Sequence, residues 1–175
     1  VALHDASQLT DALLARRPAV VYLPLEEALK VRDRFGDMAG QGVEPSVILP
    51  RVLWDREVPE VERALAELKR SGARSLLVGN LGGISLAERV GLPARGDFGL
   101  EVYNSQCAGA YREMGLQSVA LSFEQRLSRV RDQKKPLPSE LIVYGRLPLM
   151  ITENCLVQNE TGCRLDRQGT CVPKD

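Results

Sequence analysis

Residues 75–91 read SLLVGNLGGISLAERVG, a short apolar run placed directly before a helical pattern. The run SLLV is apolar on consecutive positions, which predicts a strand covered on both faces rather than one with a solvent face. The following GGISLAERVG is amphipathic and stops at Gly91, where a helix C-cap favours glycine.

Working outward, the same couplet recurs along the chain. VALH (1–4) leads into SQLTDALLAR, with Ser7 as the expected N-cap, and AVVYLPL (19–25) leads into EEALKVRDRF. SVILPRVLW (46–54) precedes EVPEVERALAELKRSG, which ends at Gly72, and GLEVYN (99–104) runs into SQCAGAYREMG. SVALS (118–122) feeds FEQRLSRVRDQ, and ELIVYG (140–145) enters a segment that contains three of the four cysteines. The stretch GDMAGQGVEP (36–45) has the composition of a solvent loop. Seven apolar runs alternating with helices predict right-handed βαβ units and a parallel sheet.

The sheet can stay open or close into a barrel. GxGxxG and GxxxxGK are both absent, which removes the usual phosphate-loop grounds for an open nucleotide-binding sheet. The expected class is α/β, with repeated βα units in a TIM-barrel-like fold. With 175 residues against a usual minimum of about 200, that barrel is short or incomplete. We expect one domain over residues 1–175, with a cysteine-containing C-terminal segment at 150–175. The chain opens at Val1, without an initiator methionine and already strand-like, so we expect a piece of a longer polypeptide whose remainder is its partner.

Lys+Arg and Asp+Glu each number 23, and 44% of residues are hydrophobic. This balance predicts an ordinary globular protein and argues against a broad anionic-membrane or nucleic-acid surface. No apolar stretch approaches the roughly 20 residues of a membrane span, and no signal peptide opens the chain, so a cytoplasmic location is expected. The sequon at Asn159 then has no glycan to accept.

In a parallel barrel the C-terminal ends of the strands form the working face. Those positions carry Arg51, Asn80, Asn104, Ser122, Glu124 and Arg146. Arginines and amides converging there suit an anionic or amide-bearing ligand, although each residue can equally cap the helix that follows. Glu124 is a general-base candidate if it is buried. The single histidine, His4, leaves little material for a Ser-His or Cys-His pair, and HExxH is absent. Cys155, Cys163 and Cys171 are each separated by seven residues, a spacing open to metal ligation, to a redox pair, or to neither. Cys107 falls inside a helical pattern, where burial is the expectation.

Several stretches together resemble the U32 peptidase family, the collagenase-like proteases, and in particular the later, barrel-like segment of its long members. They are LPRVLWDRE, LLVGNLGGISLAERVG, GDFGLEVYNSQCAGAYREMGLQSVALSFE, ELIVYGRLPLMITENC and GCRLDRQG, and they span nearly the whole chain. The resemblance implies a TIM-barrel-like fold. It also implies peptide hydrolysis, or alternatively a role as an iron–sulfur- or zinc-bearing module of an RNA-modifying enzyme. A third alternative is a non-catalytic interaction domain of a longer chain.

By position, Asn104 and Glu124 match family residues and are the catalytic candidates, while Arg51, Asn80 and Arg146 are the ligand-binding candidates from their strand-end places alone. Cys155 and Cys163 match the first two family cysteines, and Glu140 and Gly145 match the ends of its ExFxxG element. Ile142 stands in place of that element's phenylalanine, and Arg146, Leu147 and Pro148 replace the small residue and early cysteine of short members. Cys171 stands where such relatives tend to carry an aromatic residue.

Overall fold

The computed structural model describes residues 1–148, 151, 158, 159 and 162. The chain divides into two compact units, Val1–Ile142 and Val143–Asp175. In the second unit residues 143–148 are exposed, and the amide of Gly162 donates to the carbonyl of Gln158 at 3.0 Å.

The first unit holds six parallel strands, β1 (Val20–Pro24), β2 (Glu44–Ile48), β3 (Ser75–Val78), β4 (Ala94–Gly96), β5 (Ser118–Ala120) and β6 (Ser139–Glu140). Each pairs with the next in chain order, so the sheet never doubles back as an open nucleotide-binding sheet does. It curls instead. The Tyr22 hydroxyl on β1 donates to both carboxylate oxygens of Glu140 on β6, at 2.8 and 2.9 Å. First and last strands can meet this way only around a concave face, and the result is a half-barrel, the incomplete TIM-like fold that the strand–helix alternation predicts.

In the first unit seven α-helices flank the strands: α1 (Asp11–Leu14), α2 (Leu25–Lys30), α3 (Phe35–Gly40), α4 (Val58–Ser71), α5 (Leu81–Val90), α6 (Ser105–Glu113) and α7 (Leu127–Asp132). The longest, α4, starts with proline in its first turn and buries Val61, Leu65 and Leu68 on one stripe. Gly72 ends it at φ 114°, a left-handed position costly for any side chain, while its amide reaches the Leu68 and Lys69 carbonyls. The core lies on the convex side, where Val21, Leu23, Val47, Leu76, Val78 and Val119 alternate outward against the helices. Phe35, Met38, Leu65, Leu68 and Leu86 fill the helix side of that layer and are essentially inaccessible. Fully burying each such side chain contributes about 1.5–3 kcal/mol.

Several local expectations change. The VALH run is a single parallel bridge, Ala2 to Tyr22, rather than a full strand. GLEVYN likewise contributes one bridge, Val102 to Leu121, and the true β4 lies upstream at ARG, residues 94–96. Its middle residue is an arginine, which disguises it in an apolar scan. Residues 36–40 are helical, not loop, because Phe35 and Met38 sit three apart and anchor one turn in the core. Asp5 caps a short 3₁₀ turn at Ala6–Gln8 and Thr10 caps α1, in place of one helix capped by Ser7.

Candidate functional site

The inner face of the half-barrel is layered. Its lower layer, toward the N-terminal ends of the strands, is a continuous polar network. Arg95 donates to both carboxylate oxygens of Glu44, Nε to Oε1 at 3.1 Å and Nη2 to Oε2 at 2.8 Å. The Ser75 hydroxyl donates to Glu44 Oε1 at 2.5 Å and lies 2.9 Å from Ser46 Oγ, which donates to the Ser75 carbonyl. On the other side Arg95 Nη1 donates to Ser118 Oγ at 3.2 Å, and Ser118 donates to Glu140 Oε1 at 2.7 Å.

Tyr22 closes this chain of contacts against Glu140. Burial, and then the Glu140 carboxylate, push its phenol well above the ordinary tyrosine value, so it remains a neutral donor. Burial opposes the charged form of Arg95, yet the Glu44 hydrogen bonds and charge hold the guanidinium above its ordinary value. Ser46, Ser75 and Ser118 are fully buried and all three are hydrogen-bonded, as buried polar groups need to be. Sequence reading alone missed Tyr22, Glu44 and Arg95. Glu140 was reachable only through the family's ExFxxG element.

The upper layer lies at the C-terminal ends of the strands, and here the side chains are less fully matched. Arg51, in the loop after β2, places its guanidinium 4.3 Å from the centre of the Phe98 ring, a cation–π contact. Phe98 meets Phe123 edge-on with centroids 5.8 Å apart, linking the segments after β2, β4 and β5. Asp97 follows β4 directly. One of its oxygens accepts the Phe98 amide at 2.8 Å, and a Cβ added at Gly79 would lie between Arg51 and the other oxygen. Burial raises the Asp97 carboxyl above the ordinary aspartate value, opposed by the Phe98 amide and the charge of Arg51.

Gly99 lets these elements close up. A Cβ there would fall 2.6 Å from the Gly79 carbonyl and into the Arg51 guanidinium. Gln125 adds a further polar group. Its amide nitrogen donates to the Val102 carbonyl at 2.8 Å, while its oxygen is buried without a donor among the described residues.

Of the residues selected from sequence, Arg51 stands in this cluster. Asn80 caps α5, accepting from the Gly83 amide at 2.8 Å, and donates to the Arg51 carbonyl at 2.9 Å. Asn104 caps α6 through the Cys107 amide at 2.8 Å. Ser122 is buried, with its hydroxyl 3.4 Å from the Glu124 amide, whereas Glu124 itself is exposed. Arg146 is exposed in the second unit. Cys155, Cys163 and Cys171 lie outside the described residues. Cys107 is a free, partly buried thiol on α6. Among the described residues no three His, Cys, Asp or Glu side chains form a metal-holding group.

The family model Peptidase family U32 matches residues 29–174, and the chain therefore belongs to that family. Among solved structures, a U32 peptidase, Mk0906, matches at 13% identity with a TM-score of 0.51, over 80% of this chain and 65% of that one. MenC from Desulfotalea psychrophila LSv54 matches at 12% identity with a TM-score of 0.47, over 81% of this chain and 44% of that one. The chain thus spans less than two thirds of either structure, and likeness at such identities speaks to the fold alone. No curated protein matches. Among the described residues no helix is long and apolar enough to cross a membrane.

Proposed function

We propose that this chain is a hydrolase domain of the U32 type that acts on peptide bonds, with its chemistry at the upper layer of the concave face. One observation carries the reading: Arg51 and Asp97 both lie within 4 Å of one point above Gly79, at strand C-terminal ends, beside an aromatic pair. Asp97 is the candidate general base. Its raised affinity for protons suits a group that takes one from an attacking water. Arg51 is the candidate electrophile, a fixed cation placed where charge develops on a carbonyl oxygen. Phe98 and Phe123 give the substrate an apolar surface. Glu124 and the side-chain nitrogen of Asn104, which carries no hydrogen bond among the described residues, are further substrate-facing groups on the β5 side.

The reading is tested by incubating the chain with denatured collagen and with short peptides, with metal and chelator controls, and counting new amino termini. Cleavage that falls at least tenfold in both Arg51→Ala and Asp97→Asn supports it. No cleavage, or cleavage unaltered by both substitutions, refutes it. The remainder of a longer parent chain is the proposed partner.

A second reading, an iron–sulfur or zinc module acting on RNA, rests on Cys155 and Cys163 standing at the first two cysteine positions of the family. Anaerobic purification followed by iron, sulfide and zinc analysis decides it. Stoichiometric metal that is lost in Cys155→Ser supports it, and metal-free protein under those conditions counts against it.

A further inference from the structure

A cleft of about 750 Å³ opens where the C-terminal ends of β1 and β2 meet α2 and α4. Its volume is that of a site for one to a few side chains. The floor is apolar, formed by Leu25, Leu29, Leu49, Leu53 and Val61. The rim carries five carboxylates, Asp5, Glu26, Glu27, Glu57 and Glu60, with His4 and no lysine or arginine. In a chain with no net formal charge this acidity is local.

Not all of these acids are free. Asp5 accepts the Ser7 amide, Glu27 is held by Lys30 and the Ala6 amide, and Glu57 accepts the Trp54 amide with Arg56 at 4.0 Å. Glu26 and Glu60 have neither a hydrogen bond nor an ion pair from their side chains among the described residues. Two carboxylates without a hydrogen bond or close ion pair, above a leucine-rich floor, complement one ligand type, an apolar group bearing positive charge at its edge.

We propose that this cleft binds a peptide segment in which an apolar side chain is flanked by lysine or arginine. The apolar side chain sits on Leu49 and Leu53, and the cations reach Glu26 and Glu60. Rim pairs of this kind set specificity and association rate more than raw affinity, so binding weakens with salt. Pro50 lines the cleft, and Arg51, the next residue, belongs to the upper-layer cluster. The site is distinct from the Arg51–Asp97 cluster and does not depend on hydrolysis.

Fluorescence anisotropy with a labelled Lys-Leu-Lys-Leu-Lys peptide, and with its Glu-Leu counterpart, tests the assignment on the full chain. The basic peptide is expected to bind and the acidic one not. Glu26→Gln/Glu60→Gln is expected to weaken binding about tenfold, with the thermal unfolding midpoint unchanged because both residues are exposed. Leu53→Ser is expected to weaken it independently, at low and high salt alike.

Equal binding of the two peptides overturns the proposal, as does an affinity untouched by both variants. Displacement by spermidine as strong as by the unlabelled peptide also overturns it, since a bare cation would then suffice. A complex with the mass of two chains and no peptide would show that a second copy fills the cleft, which equally excludes the proposed occupant.

Discussion

The two layers of the concave face are built from similar residue types and end in opposite conditions. In the lower layer one cation, Arg95, faces two carboxylates, and serines and a tyrosine take up the remaining bonds. In the upper layer Arg51 spends its guanidinium on a ring, Asp97 leaves one oxygen with no hydrogen bond among the described residues, and Gln125 keeps a buried oxygen without a donor. A closed network fixes geometry and has nothing left to offer a substrate. An open one costs stability and retains groups for binding and chemistry. Under the proposed function, the lower layer serves the fold and the upper layer the chemistry.

The sharpest way to break this contrast is Arg95→Ala. It leaves Glu44 and Glu140 unpaired on the inner face and should cost about 2 kcal/mol in urea unfolding, less than for a fully buried pair because the carboxylates are partly exposed. A loss below about 1 kcal/mol would mean that solvent already screens the network. Gly99→Ala should cost about 2 kcal/mol, because its Cβ has no room beside the Gly79 carbonyl. It should also disturb Arg51, and hence activity, which Arg95→Lys should leave in place wherever the protein stays folded.

Smaller effects sharpen the boundary between caps and chemistry. Asn80→Ala should cost about 1 kcal/mol through loss of the α5 cap. If it also abolishes turnover, the amide does more than cap. For Asp97 the sign of the pH dependence is the prediction. Its folded-state carboxyl binds a proton more tightly than the unfolded one, so its contribution falls as pH rises through the range above the ordinary aspartate value. Asp97→Asn should therefore raise the thermal midpoint at neutral pH, and the gain should vanish in acid, below both values. A variant that is less stable at neutral pH would place Asp97 in a favourable ion pair instead.

The α/β class and the short barrel were legible because apolar runs and capped amphipathic helices alternate with regular spacing. Gly72 and Gly91 stop α4 and α5 where the pattern says. The missed strand, β4, shows the limit of such reading. Ala94–Gly96 has one inward position, and it holds an arginine whose charge is matched by glutamates 51 and 45 residues away. No local pattern announces a long-range pair. For the same reason Ser46 and Ser75 look incidental inside apolar runs, although they line the inner face.

The upper-layer site was half legible. Arg51 follows a strand and could be selected by position, whereas Asp97 follows a strand that the scan placed elsewhere. The asparagines were selected for the same strand-end position, and their side-chain oxygens are occupied as caps.

The most direct measurement is paired: stability and peptide cleavage for Arg51→Ala and Arg95→Ala, each compared with wild type at equal folded concentration. The account predicts that Arg51→Ala unfolds within about 1 kcal/mol of wild type, the size of the lost cation–π contact, while its cleavage falls at least tenfold. Arg95→Ala should lose about 2 kcal/mol yet cleave normally wherever it is folded. The reverse assignment, with Arg51 needed for stability and Arg95 for cleavage, would contradict the division between the layers.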